Sequence, residues 1–309
     1  LRGDKIISLL PGLTELVCAL GLEDQLIGKS HECDYPHSIT DRPVLTGPKY
    51  SVTEESSSDE IQKSIQFLLS KALSIYEVDD EELIRLSPDV ILTQDHCEVC
   101  AVSIGDLTKS VREALGEDTR ILSASPTDLE SVMNSFEEIA QELGTEKEGA
   151  RLVNSIRQRY DEISDRTRDF KRPDVVAIEW IDPLMTGGNW MPEMIDIAGG
   201  NSLLARAGEH SPWIEWNTIR EADPDILLIV PCGYSIEKTK GEMHTLEQKP
   251  GWTDLKAVRQ KQVFILDGNH YFNRPGPRIK ESVEILARIF HPREFRDDLS
   301  SFGWVRYRN

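Results

Sequence analysis

Basic residues are scarce in this chain. Lys and Arg total 35 against 54 Asp and Glu, a formal net charge of −19. A nucleic-acid-binding surface needs a clustered basic footprint, and none is visible along the sequence. The same imbalance favours solubility and disfavours anionic membrane surfaces. Long hydrophobic runs are also missing, since no apolar stretch approaches the length that spans a bilayer. Cysteine is sparse and odd in number, at Cys18, Cys33, Cys97, Cys100 and Cys232. That count excludes a disulfide-stapled scaffold and fits a reducing compartment, with room for one disulfide in an exported protein. No secretory leader is visible ahead of the first apolar run. The expected location is periplasmic or extracytoplasmic where a leader has been trimmed, and cytoplasmic otherwise. Glycine occurs as GGN at 187–189 and 199–201, yet neither a P-loop nor a G-x-G-x-x-G dinucleotide loop is present. A G-x-S-x-G nucleophile elbow is absent as well.

What is present is an alternation. With 309 residues, 39% of them apolar and 29% charged, the chain has the composition of a globular protein of two domains or one large one. Short β-rich runs at 5–10, 26–30, 90–93, 119–125, 174–180, 226–230 and 263–267 read as strands. Segments with helical spacing lie between them: 11–21 opened by Pro11, 59–76, a short one before Ser87-Pro88-Asp89, 128–144 closed by Gly144, and 278–290. Strands alternating with helices predict an α/β fold with parallel sheets covered on both faces. The run 146–170 differs, because its apolar stripe of Leu152, Ile156, Tyr160 and Ile163 is narrow and the rest is charged. Such a helix suits a solvated bridge. The stretch LSPDVILTQDHC is echoed by ADPDILLIVPCG, each a helix end, Pro-Asp, an apolar strand and a cysteine. The expected organisation is an N-terminal lobe at 1–144, a linking helix at 145–170 and a C-terminal lobe at 171–309.

In open α/β sheets ligands bind beyond the carboxyl ends of the strands, and the unusual residues fall there. HECDYP (31–36) follows the second run, Gln94-Asp95-His96-Cys97 follows 90–93, and IDPLMTGGNWMP (181–192) follows 174–180. Pro231-Cys232-Gly233-Tyr234 and GNHYFNRPGP (268–277) follow the last two. These loops predict a shared cleft whose aromatics, Trp180, Trp190, Trp213, Trp216, Tyr271 and Phe272, suit a large, flat, partly apolar ligand. Any one of these tryptophans can equally be core. The pair Cys97 and Cys100 offers two soft ligands where a structural zinc site needs four, and His31, Cys33 and His96 would complete the set if the loops meet. A redox pair and a purely loop-shaping role are the other readings.

The stretch IISLLPGLTELVCALGLEDQLIGKSHECDYP resembles the opening of the cobalamin and iron-siderophore substrate-binding proteins of ABC transporters. VDDEELIRLSPDVIL, MTGGNWMPEMIDIAGGNSLL and RPGPRIKESVEILARIFHP are similar to later segments of that family, so the resemblance covers the chain to about residue 292. It implies two Rossmann-like lobes joined by a single long helix, the class III solute-binding architecture, with the ligand in the cleft between them. It also implies a monomeric binding protein and not an enzyme, one that requires no cofactor and passes its small-molecule ligand to a permease. The ligand would be a cobalamin-like corrinoid or metal chelate. Glu32, Tyr35, His96 and Cys97 would contact it from the first lobe. From the second lobe, Trp180, Trp190, Trp213, Trp216, Tyr271 and Phe272 would cover ring faces and Arg274 would pair with an acidic arm. His31 or His96 would be an axial donor to cobalt. The family's permease-docking acids map onto Glu81 and, in the second lobe, onto Asn217, with Glu215 nearby as a substitute. The DHCEVC loop departs from better-known members and leaves a second reading: a cytosolic metal-binding protein or metalloenzyme holding zinc or iron with Cys33, Cys97, Cys100 and a histidine.

Overall fold

A computed structural model describes residues 3–49, 56–70, 76–94, 115–116, 118–295 and 302–308. The chain divides into two compact units. The first comprises Leu1–Thr53, Lys63–Pro126 and Ser131–Asn154, and the second Glu54–Gln62, Thr127–Glu130 and Ser155–Asn309. The division falls between Asn154 and Ser155, inside the 22-residue helix Glu146–Thr167.

In the first unit the strands are β1 (Ile6–Ser8), β2 (Leu26–Lys29), β3 (Thr46–Pro48), β4 (Tyr76–Val78), β5 (Val90–Thr93) and β6 (Arg120–Ser123). Four of them form a sheet in the order β2-β1-β5-β6, every neighbour parallel. Ile6, Ile7, Val90, Ile91 and Leu92 are all fully buried, the continuous apolar strand expected when helices cover both faces. Pro11 opens the helix Pro11–Ala19, where its missing N–H costs nothing, and Leu13, Leu16 and Val17 at helical spacing turn inward. Val132, Met133, Phe136, Ile139 and Ala140 do the same in the helix Leu129–Glu142. The sequence pattern extends one helix to residue 76; the described helix is Ser58–Ser70, and Tyr76 stands at the start of β4. Tyr76 is buried and pairs with Pro48 across the antiparallel β3–β4 ladder, so a long-range partner overrides local periodicity.

The second unit holds β7 (Asp174–Trp180), β8 (Met185–Thr186), β9 (Asn201–Ser202), β10 (Ile226–Ile229), β11 (Val263–Leu266) and β12 (Trp304–Arg306). Its sheet runs β12-β11-β10-β7-β8, with β9 also paired to β7. The central pairs β7–β10 and β10–β11 are parallel, whereas β8 and β12 add antiparallel edges that short, mixed segments did not announce. Val176, Ile178, Leu227, Ile229, Val263 and Ile265 pack with Trp216, Met243, Leu246 and Trp252 into one core cluster. The helix Ile279–Phe290 buries eight of its residues, among them Val283, Leu286 and Ile289. Each such aliphatic side chain contributes roughly 1.5–3 kcal/mol when fully buried.

The echo seen in the sequence has a common geometry. The seven-residue helices Asp80–Leu86 and Trp216–Ala222 each end on a left-handed residue, Ser87 (φ 47°) and Asp223 (φ 38°). Pro-Asp and a buried parallel strand follow each. Asp89 accepts the Lys5 backbone N–H at 2.8 Å beside β1, and Asp225 accepts the Asp174 N–H at 3.0 Å at the start of β7.

Candidate functional site

In the first unit the loop after β2 carries His31, Glu32, Cys33 and Tyr35. Thr46 Oγ1 accepts the His31 backbone N–H at 3.1 Å and lies 2.8 Å from its Nδ1. The ring sits 5.6 Å from that of Tyr76, and burial lowers the imidazole pKa, favouring the neutral form. Glu32 Oε1 lies 4.0 Å from His31 Nε2, and Tyr35 is exposed. Cys33 turns the other way. Its sulfur is buried against the hydroxyls of Thr14 at 3.0 Å and Ser30 at 3.2 Å, beneath the loop. His96, Cys97 and Cys100 lie outside the described residues. Among the described residues no group of three or more His, Cys, Asp or Glu could hold a metal ion.

In the second unit the expected aromatics lie at the end of β7 and in the segments after β8, β9 and β11, and their roles separate. Trp180, the last residue of β7, stands edge-on to Tyr234 at 5.4 Å, and its indole nitrogen is buried with no partner among the described residues. Trp190 donates its indole N–H to the Phe272 carbonyl at 2.8 Å, tying the β8 loop to the β11 loop. Phe272 itself is fully buried. Trp216 belongs to the core, stacked 6.1 Å from Trp252 and donating to the Pro250 carbonyl. Trp213 is 52% exposed. Tyr271 is half-buried under the Arg278 guanidinium. Arg274 is buried and donates to Asn269 Oδ1 at 3.1 Å.

A group not anticipated from the sequence stands among them. Glu179 is the one acid inside the apolar strand DVVAIEW, Asp174 being its exposed first residue, and lies one residue from its carboxyl end. Ser211 Oγ donates to Glu179 Oε2 at 2.8 Å, and Ser211 Oγ in turn accepts the Gly188 N–H at 3.0 Å. Burial pushes the Glu179 pKa up to about 7, against the pull of Ser211 and the Gly188 amide. The sequence signal was available: an acid inside an apolar strand, at the end where α/β proteins bind ligands. Its loop partners were not, because Ser211 reaches it from 32 residues away.

The Periplasmic binding protein family pattern matches residues 6–270, most of the chain. The chain belongs to the Periplasmic binding protein family. A Bacillus subtilis relative named as the uncharacterized ABC transporter substrate-binding lipoprotein YvrC is 23% identical, over 95% of this chain and 82% of its own. The vitamin B12-binding protein of Vibrio parahaemolyticus is 20% identical, over 93% of this chain and 89% of its own. The solved structure of a periplasmic heme-binding protein from Pseudomonas aeruginosa superposes with a TM-score of 0.65 at 19% identity, covering 94% of each chain. At that identity the likeness speaks for the fold.

Within this member of the Periplasmic binding protein family, the two docking candidates are both exposed. Glu81 is the second residue of the helix Asp80–Leu86, and Glu215 is the residue preceding Trp216–Ala222. Asn217 occupies the second position of the latter helix and accepts from Arg220 at 3.1 Å. No described helix is long and apolar enough to cross a membrane.

Proposed function

We propose that this protein binds a cobalamin-like corrinoid and hands it to an ABC-type permease on the outer side of the cytoplasmic membrane. The observation that carries the reading is the similarity, over more than nine-tenths of the chain, to relatives named vitamin B12-binding protein. The chemistry of the strand-end loops supports a ligand with uncharged arms. Ser211, Asn269 and Asn273 are neutral hydrogen-bonding groups there, and the buried cation Arg274 already serves the Asn269 amide. A corrin carries peripheral amides, whereas heme carries carboxylates that ask for unengaged cations. Tyr35, Glu32, Trp213 and Tyr271 would touch the ligand, while Trp180, Trp190 and Phe272 frame the loops that hold them. Glu81 and Glu215 would meet basic sockets on the permease.

Calorimetric titration with cyanocobalamin and, separately, with hemin tests this. One-to-one binding of cyanocobalamin, tighter than hemin and weakened by Trp213→Ala, is the expected result. Hemin binding with cyanocobalamin inert would replace the corrinoid with a heme.

A further inference from the structure

We infer that Glu179 is a ligand-recognition residue of the second unit, acting as a neutral carboxylic acid that donates a hydrogen bond to an uncharged acceptor, such as an amide carbonyl, on the bound ligand. The inference rests on the strand-end binding reading above and names the chemistry that the second unit selects.

Two hydrogen bonds hold the carboxyl in place. Gly188 N–H must donate, so it occupies the Ser211 hydroxyl oxygen as an acceptor. The Ser211 hydroxyl keeps its hydrogen and a second lone pair for Glu179 Oε2 at 2.8 Å, so it can serve the carboxyl in either protonation state. Ser211 engages Oε2 alone, and Oε1 is the oxygen through which the protonated acid would donate to a ligand. The residue as a whole is only partly buried. Its placement is built with little slack. A Cβ on Gly188 would lie 2.6 Å from the Glu209 carbonyl oxygen and from the Ser211 nitrogen, so the loops at 187–189 and 209–211 are closely packed. Asn189 adopts a left-handed conformation (φ 49°) and donates its N–H to that same Glu209 carbonyl at 2.7 Å. The backbone beside Glu179 is held as well, its carbonyl accepting the Cys232 N–H at 3.1 Å.

The electrostatic setting favours the neutral acid. Among the described residues the groups acting on its carboxyl are Ser211 and the Gly188 amide, and no charged side chain is among them. The neighbouring titratable residue His210 places Nδ1 3.0 Å from the Ser211 carbonyl oxygen. Desolvation therefore dominates and lifts the pKa to about 7. Near neutrality both forms are populated, and a ligand that accepts a hydrogen bond selects the protonated one.

The test measures cyanocobalamin affinity of the wild-type protein, Glu179→Gln and Glu179→Ala as a function of pH. The wild-type Kd should rise about tenfold between about pH 6 and about pH 8, as the competent fraction falls. Glu179→Gln, which mimics the protonated acid, should bind with the wild-type low-pH affinity and show no such rise. Glu179→Ala should bind at least about tenfold more weakly at low pH, with the fold of each variant verified by its melting temperature. A protonated-carboxyl infrared band in the wild-type complex at low pH, missing in Glu179→Gln, is the direct signature. A wild-type affinity that does not change with pH overturns this inference and leaves the corrinoid reading standing. A pH profile shared by wild type and Glu179→Gln belongs to another group and overturns it too. Failure of both cyanocobalamin and hemin to bind at any pH overturns the binding reading and this inference together.

Discussion

Glu242 grips the start of the helix Ser58–Ser70: Ser58 donates its backbone N–H to Oε1 at 2.8 Å and its hydroxyl to Oε2 at 2.6 Å. Tyr234, the ring that meets Trp180, adds its hydroxyl to Oε1 at 3.0 Å. Glu242 is 7% exposed, so these bonds are made away from water. Helix-start N–H groups have no partner within their own helix, and here a carboxylate from the helix Ile236–Glu247 supplies one. Glu242→Ala leaves three donors without that partner and should cost ~2–4 kcal/mol in urea unfolding, against ~1–2 kcal/mol for Glu242→Gln. No measurable cost for either variant would show that these hydrogen bonds contribute nothing to stability.

Asp225 should shape the acid limb of stability. The Lys256 ammonium lowers its pKa first, partial burial opposes this, and the Asp174 N–H adds to the lowering. A carboxyl depressed in the folded state stabilises above its unfolded value, near 4, and loses that contribution as pH falls through the lower folded value. The melting-temperature difference between wild type and Asp225→Asn should therefore be largest above about pH 5 and shrink toward zero below about pH 3. Calorimetric scans across that range check it, and a constant difference would contradict the linkage.

Two glycines should respond to alanine in opposite senses. At Gly188 the new Cβ meets backbone atoms of Glu209 and Ser211 that cannot rotate away. Gly188→Ala should cost ~1–3 kcal/mol and displace Ser211 from Glu179. Gly241 lies in the helix Ile236–Glu247 with nothing within 4 Å of an added Cβ. Gly241→Ala should stabilise by ~0.5–1 kcal/mol through helix propensity. Denaturant midpoints for the pair, moving in opposite directions, are the expected result.

Trp216 and Trp213, three positions apart, should behave as different kinds of residue. Trp216 is 8% exposed and packs in the core, so Trp216→Ala should cost ~3–5 kcal/mol. Trp213 is 52% exposed, and Trp213→Ala should change stability by less than ~0.5 kcal/mol while weakening ligand binding. Thermal melts and titrations on both variants separate the roles. A large stability loss for Trp213→Ala would assign it to packing.

The amino-acid sequence by itself determined the strand–helix alternation, the central strands and the ends at which the loops gather. It could do so because buried parallel strands are uninterrupted apolar runs, and helices carry a periodic apolar face that local reading detects. DVVAIEW is a strand over all its residues in both readings, and the Pro-Asp echo became one geometry used twice, at Asp89 and Asp225. Tertiary structure alone decided the rest. Trp216 and Trp213 look alike in one dimension, and only packing sends one to the core and the other to solvent. Cys33 reads as a ligand beside His31, yet its sulfur is turned inward by hydroxyls on Thr14 and Ser30. Glu179 acquires its character from Ser211 and from burial, neither of which is local. The reason is the same each time: periodicity is set by neighbours along the chain, whereas burial and hydrogen-bond partnership are set by residues that folding brings from far away.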